Sequence, residues 1–146
     1  MWQVDPWGLA WEAGEPRPRG WRLPKNGTWS GSPGHSDFKP SNPAALGLNA
    51  NDVIPFQGGH PNFSQWSQGT FNVSNMTGDH STDMPLIWRQ IAEEKGFGSS
   101  NAARTWLSQE NLTPHHAGGN SVELIPSKLH GDVRHTGSAS EMRCSG

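Results

Sequence analysis

Proline and glycine interrupt residues 11–34 so often that no long helix or strand fits there. Turn signals continue through 41–43 and 58–61, and only the short apolar pieces 53–54 and 70–73 suit brief strands. The core must therefore be built from few regular elements, most of them in the second half. The interrupting residues are Pro16, Pro18, Gly20, Pro24, Gly27, Gly31, Pro33 and Gly34.

The second half carries the helical signals. The apolar spacing predicts a helix over 84–95, with Asp83 as its cap and Gly96 at its end. A second helix is predicted over about 101–108, with Ser100 as its cap. The apolar positions expected to face the core are Met84, Ile87, Trp88, Ile91, Ala92, Ala102, Ala103, Trp106 and Leu107.

A strand followed by a short helix is predicted near the end of the chain. Residues 122–125 are almost continuously apolar, which favours a strand. The pair 126–127 then suits a cap before a short helix that includes Lys128 and Arg134 and ends at Gly137. Together, these signals predict an α+β fold: one loop-rich domain with short helices before a C-terminal strand-and-helix unit.

Composition excludes several classes of protein. Leu, Ile, Val and Phe total only 23 of 146 residues, but the net charge is −2 and eight Trp supply apolar surface, so the chain is not expected to be disordered. Trp21, Trp29, Trp66 and Trp88 are expected in the core. No segment has the apolar length of a membrane span or the pattern of a secretory signal. Cys144 is the single cysteine, which excludes an internal disulfide and a cysteine-based zinc cluster.

The charge balance gives no support to nucleic-acid binding. Residues 1–85 carry 5 basic and 7 acidic side chains, and residues 86–146 carry 6 of each. A strong phosphate binder usually has a basic surplus. A bound divalent cation would add positive charge that this count omits, so binding is not excluded.

Four of the seven histidines fall in the last 32 residues and form the most informative pattern. His115 and His116 are adjacent, a glycine-rich loop and the predicted strand follow, and His130 and His135 come next. Imidazole is a ligand for transition metals and is also a general base. Because neighbours on an extended segment point to opposite sides, one histidine of the pair can face a metal while the other faces the substrate.

These residues resemble a nuclease family. Leu112-Thr-Pro-His-His116, Val122-Glu-Leu-Ile-Pro126, Leu129-His130 and His135-Thr-Gly137 are similar to the HNH/endonuclease VII superfamily, in the branch with a Leu-x-x-His-His signature found in bacterial polymorphic toxins. The resemblance covers about residues 112–142. It implies a ββα-metal core around one divalent cation, which the sequence does not distinguish among zinc, magnesium, nickel and manganese.

The resemblance also assigns roles to individual residues. His115, His130 and His135 correspond to the metal ligands, and His116 corresponds to the base that activates water. Lys128 and Arg134, from the same helical segment, are expected to contact DNA. One spacing departs from the pattern, because positions i and i+5, such as His130 and His135, do not share a helix face. Either His130 precedes the helix, or one of these two histidines is not a ligand and His130 contacts a phosphate instead.

A second resemblance lies at the start of the chain. Val4-Asp-Pro-Trp-Gly-Leu9 is similar to the Asp-Pro-x-Gly-Leu motif that closes the core of Rhs-repeat proteins. In that family the motif, here Asp5, Pro6, Gly8 and Leu9, marks autoproteolytic release of a C-terminal toxin after the leucine. It implies that residues 1–9 are a remnant of the Rhs core and that residues 10–146 are the toxin domain.

Together, the two resemblances imply a function. We expect a metal-dependent DNA endonuclease toxin, held in an Rhs shell, delivered by type VI secretion into the cytoplasm of a rival bacterium, and neutralised by a cognate immunity protein. The alternatives are a non-enzymatic zinc-binding interaction module and a metal-independent RNase toxin. Asp79, His80 and Asp83 are either a second metal or substrate contact or, as we prefer, a turn with helix caps.

Overall fold

The loop-rich half of the chain forms short strands joined by turns. The computed structural model describes residues 11–133, and everything below concerns those residues. A four-stranded antiparallel sheet has the order β1-β2-β3-β4. Its strands are β1 (Gly27–Trp29), β2 (Asp37–Pro40), β3 (Ile54–Gln57) and β4 (His60–Pro61), and 3-10 turns occupy Pro43–Leu46 and Ser64–Trp66.

A second antiparallel sheet and three helices form the rest of the described chain. The strands are β5 (Thr70–Asn72), β6 (Leu112–His116) and β7 (Ser121–Pro126), in the order β5-β7-β6. The helices are α1 (His80–Lys95), α2 (Ser100–Gln109) and α3 (Ser127–Asp132). The predicted α+β class is therefore confirmed: a small mixed domain with three helices and two antiparallel sheets. No described helix has the length and hydropathy needed to cross a bilayer.

The three-stranded sheet separates two groups of buried side chains. Val122 and Leu124 of β7 point to one face and join the helix-side cluster beneath α1 and α2. Ile125 points to the other face and joins the α3-side cluster. The helix-side cluster also contains Phe71, Val73, Met76, Ile87, Ile91, Ala92, Ala103, Leu107 and Leu112. The α3-side cluster also contains Trp11, Leu23, Phe38, Leu48, Ile54, Phe56, Phe63, Leu129 and Val133.

The hairpin of β6 and β7 fixes which residues share a face. Pro114 pairs with Leu124, His115 with Glu123, and His116 with Val122. Ala117 N donates to Ser121 O at 2.9 Å. Because hydrogen-bonded and non-hydrogen-bonded pairs alternate along an antiparallel ladder, the His115 pair is hydrogen-bonded and the Pro114 pair is not.

Two helix starts differ from the predictions. α1 begins four residues early, because Asp79 has extended backbone angles and accepts from Thr82 N at 2.9 Å; the predicted cap, Asp83, lies inside the first turn. α2 is capped by Ser99, which accepts from Ala102 N at 3.1 Å. Both differences have the same cause. Several consecutive residues before each helix are suited to capping, and only the backbone geometry determines which of them is the cap.

α3 also differs from its prediction. It ends at Asp132, and Val133 is already extended, with φ −96° and ψ 98°. Val133 is buried in the α3-side cluster. The extended backbone at Val133 therefore ends α3 at Asp132, before the predicted end at Gly137.

Tryptophan rings border the core and do not fill it. Trp88 packs against the helix-side cluster, while Trp21, Trp29 and Trp66 pack against the α3-side cluster, and all four are partly exposed. The tryptophan buried in the described chain is Trp11, which is 6% exposed. The four rings therefore contact the core, as expected, but they lie at its border and are not buried inside it.

The Trp11–Trp21 contact requires a glycine at position 59. Gly59 has φ +82°, and a Cβ there would lie 2.7 Å from Trp21 and 2.8 Å from Trp11. We expect Gly59→Ala to lower the free energy of unfolding by at least about 2 kcal/mol, through left-handed backbone strain and ring displacement. Gly47→Ala is the control, because Gly47 has φ +77° but open space around it. Equal losses in urea unfolding for the two variants would contradict the packing argument.

Candidate functional site

Strand β6 presents its two histidines on opposite faces of the three-stranded sheet. His115 is 6% exposed and packs edge-on against Phe63, with ring centroids 5.1 Å apart. Phe63 belongs to the α3-side cluster, so His115 points to that side. His116 is the last residue of the strand and faces α1, where its Nε2 lies 3.7 Å from Asp83 Oδ2. The expected separation of the pair is therefore observed.

His115 and His130 come together at the junction of β6 and α3. His115 Nδ1 lies 3.2 Å from His130 Nε2, and their ring centroids are 5.1 Å apart. The His130 ring also packs against Phe63, with centroids 6.0 Å apart. The two residues are 15 positions apart in the sequence. Their side chains meet because α3 follows β7 directly and turns back over β6.

The separation of these nitrogens fits a metal centre. Two imidazole nitrogens bound to one tetrahedral Zn²⁺ at about 2.0–2.1 Å lie roughly 3.3 Å apart. The observed 3.2 Å is also a hydrogen-bond distance, with donor and acceptor set by the tautomers. The donor set therefore fits two ligands of one divalent cation.

The third predicted ligand, His135, lies outside the described residues. In residues 11–133 no group of three His, Cys, Asp or Glu side chains is arranged to hold a metal ion. His130 lies inside α3, so the expectation that it precedes the helix is wrong, and its role as a ligand or a phosphate contact stays a prediction.

A buried carboxylate shares the sheet face of His115. Glu123 is 8% exposed, pairs directly with His115 across the ladder, and accepts a hydrogen bond from Ser64 Oγ at 2.8 Å. Directly paired residues of an antiparallel ladder point to the same face. Glu123 therefore brings negative charge to the side that carries His115. No sequence pattern assigned a role to Glu123, although Glu123 is the single acidic residue in the apolar segment 122–125.

Asp83 forms the second polar centre, on the opposite face. It is 2% exposed, and its carboxylate accepts from Thr77 N at 2.8 Å, Thr77 Oγ1 at 3.1 Å and Gly78 N at 2.8 Å. These donors fix the orientation of the carboxylate, which lies beside His116. The prediction that Asp83 is a helix cap is therefore wrong. Asp79 takes that role, and the side chain of Asp83 turns back to bind the loop before the helix.

Burial favours the neutral form of the His116 ring. Burial lowers the pKa of His116, and the negative charge of Asp83 opposes that shift. A depressed histidine pKa leaves the ring unprotonated near neutrality, and an unprotonated imidazole can accept a proton. The arrangement therefore provides a neutral base with a fixed carboxylate beside it.

The remaining predicted residues are placed only in part. Lys128 is exposed on α3, whereas Arg134 lies outside the described residues, as do Asp5, Pro6, Gly8 and Leu9. Asp79 and His80 are exposed at the start of α1, and the Asp79 carboxylate accepts hydrogen bonds from Ser81 Oγ and Thr82. This supports a capping role for Asp79.

Two comparisons with known proteins found no match. No protein-family model matches the chain, and a search of curated proteins found no match.

Proposed function

We propose that this chain is a metal-dependent DNA endonuclease of the ββα-metal type. The observation that carries the proposal is the 3.2 Å separation of His115 Nδ1 and His130 Nε2, with a second histidine, His116, at the next position of the same strand. The order of β6, β7 and α3 supports it, since this is the order of the ββα-metal core that the Leu-x-x-His-His resemblance implies.

In this proposal His115 and His130 bind the cation, with His135 as the third ligand. When bound, a divalent cation supplies a Lewis acid that polarises the phosphate and stabilises the leaving oxygen. Three protein ligands leave an open position, which a hydrolytic site needs. Glu123 adds a buried negative charge on the same sheet face, which favours binding of a cation there.

His116 acts as the general base, and Asp83 supports it. Nδ1 of His116 is buried, so we assign proton uptake from water to Nε2, the nitrogen that faces Asp83. The resulting imidazolium forms an ion pair with a carboxylate that Thr77 and Gly78 hold in place. At 3.7 Å this contact is too long for a hydrogen bond, so its effect is electrostatic.

The scissile phosphate must reach both faces of the sheet. His116 ends β6, and β6 is an edge strand of the sheet. The proposal therefore requires the phosphodiester to lie across the end of this strand and to reach the His115 side and the His116 side together.

The opposite directions of His115 and His116 argue against a closed four-histidine zinc site. His116 faces Asp83, on the sheet face opposite to His115. A closed structural site needs all its ligands directed at one cation. The His115–His116 pair does not meet that condition.

The resemblance at the two ends of the chain supplies the biological setting of the proposal. We propose that the nuclease is an Rhs-associated effector that acts in a rival bacterium and that a cognate immunity protein neutralises it in the producer. Because the site must bind phosphate, the immunity protein is expected to be acidic and to cover the histidines. Co-expression with the neighbouring small gene product should restore growth of cells that make the toxin.

Plasmid digestion with and without EDTA tests the proposed activity. We expect nicking and linearisation by the purified protein, loss of both in EDTA, and recovery when excess Mg²⁺, Mn²⁺, Ni²⁺ or Zn²⁺ is restored. DNA cleavage that persists in EDTA contradicts a metal-dependent mechanism. Cleavage of RNA alone in EDTA favours the RNase alternative, and bound zinc with no cleavage of either substrate favours the binding module.

A further inference from the structure

A short segment near the start of the described chain concentrates positive charge. Residues 16–25, the basic segment, contain four of the eleven Lys and Arg residues and no Asp or Glu. Its cations are Arg17, Arg19, Arg22 and Lys25, and all four are exposed. Two acids, Glu12 and Glu15, come directly before this segment, and the next acid after it is Asp37, so charge counts over half-chains conceal the segment.

Aromatic and apolar anchors hold the basic segment in place. Trp21 N donates to Pro18 O at 3.2 Å, which closes a turn. The Trp21 ring packs against His60 with centroids 5.1 Å apart, and against Trp11 with centroids 6.2 Å apart. Leu23 is 6% exposed. The cations therefore project from a backbone that is fixed at its centre.

The anchors place the basic segment on the His115–His130 side of the molecule. Leu23 belongs to the α3-side cluster together with Phe63 and Leu129. Phe63 packs against both histidine rings, and Leu129 is the residue before His130. Lys128, also exposed, extends from the helix that carries His130. The same cluster thus supports the basic segment and the candidate metal centre.

Two cations on the helices α1 and α2 have aromatic partners. Lys95 lies over the Trp106 ring and Arg104 over the Trp88 ring, each 4.9 Å from the centroid. By contrast, within residues 11–133 the side chains of Arg17, Arg19 and Lys25 make no hydrogen bond or ion pair with another described residue, whereas Arg22 has a partner. Uncompensated Arg side chains bind phosphate oxygens through paired N–H donors.

We infer that the basic segment binds the phosphate backbone of double-stranded DNA beside the His115–His130 centre, an inference that rests on the proposed nuclease function. Contacts of this kind fix the position of DNA and carry no sequence preference. The segment then supplies the positive field that the total charge of the chain lacks.

Salt-dependent DNA binding tests this inference. In a His116→Ala background, which prevents cutting, fluorescence anisotropy would follow a labelled 20-bp duplex between about 50 and 200 mM salt, the range over which phosphate contacts dominate affinity. Arg17→Gln with Arg19→Gln should weaken binding equally on unrelated sequences. It should also reduce the slope of log K against log salt by about 1.8, because each lost phosphate contact contributes about 0.9. Lys25→Gln alone should reduce the slope by about 0.9.

Arg89→Gln with Arg104→Gln is the matched control, since it removes two cations from α1 and α2. We expect its slope to equal that of the parent protein. Unchanged slopes in the basic-segment variants, or equal losses in the control, would overturn the inference. If the parent cleaves plasmid while the basic-segment variants bind normally, only this inference fails. If the parent neither binds nor cleaves DNA, the proposed function fails with it.

Discussion

Replacing His116 by alanine is expected to reduce DNA cleavage by about 100- to 10,000-fold while metal binding stays intact. The reason is geometric: His116 faces Asp83, on the sheet face opposite to His115 and His130. Removing the ring therefore removes the proton acceptor without removing a ligand. Plasmid nicking rates and the metal content of the purified variant, measured together, check both parts of the expectation.

His80→Ala is the matched control for this substitution, because it removes an exposed histidine at the first residue of α1. It should keep both activity and metal. A fully active His116→Ala protein would refute the assignment of the general base. Asp83→Asn offers a graded test, since it keeps the shape of the side chain and removes the charge beside His116. Its cleavage rate should fall between those of the parent and His116→Ala.

Replacing His115 or His130 by alanine should abolish both metal binding and cleavage. Loss of an outer-shell partner already costs about 10- to 100-fold in metal affinity, so loss of a direct ligand should exceed about 100-fold. Each variant removes one of the two nitrogens that lie 3.2 Å apart and leaves an incomplete ligand set. Isothermal titration with Zn²⁺ and metal analysis of the purified variants measure the change, and circular dichroism verifies that each variant is folded.

The result for His130→Ala distinguishes the two roles that the sequence left open, metal ligand and phosphate contact. Loss of metal identifies His130 as a ligand, whereas retained metal with lost cleavage identifies it as a phosphate contact. His135→Ala should behave as His115→Ala does. If His115, His130 and His135 variants all keep metal and activity, the nuclease site lies elsewhere in the chain.

Local sequence patterns predicted the elements whose signals are local. The apolar spacing located α1 and α2, and the alternation of an extended segment placed His115 and His116 on opposite faces. The role of Asp83 was not predictable in this way. Asp79 and Asp83 are both suited to capping by residue type, and only burial against the 77–78 loop separates their roles.

The candidate site contains features that arise from contacts distant in sequence. Ser64 and Glu123 are 59 residues apart, so no periodicity could have joined them. His115 and His130 are 15 residues apart and meet only because α3 turns back over the hairpin. The family resemblance implies that both bind one metal, which stays a prediction, and the structure adds the 3.2 Å distance between their nitrogens.

The proline in the strand that carries both histidines has a consequence for how this molecule meets other chains. Pro114 belongs to a non-hydrogen-bonded pair of the β6–β7 ladder, so its nitrogen points outward from the sheet. That outer edge lacks one N–H donor in its middle, which opposes the addition of a further strand. Addition of a strand at this edge, by a second copy or by the proposed immunity protein, is thereby disfavoured beside the histidines.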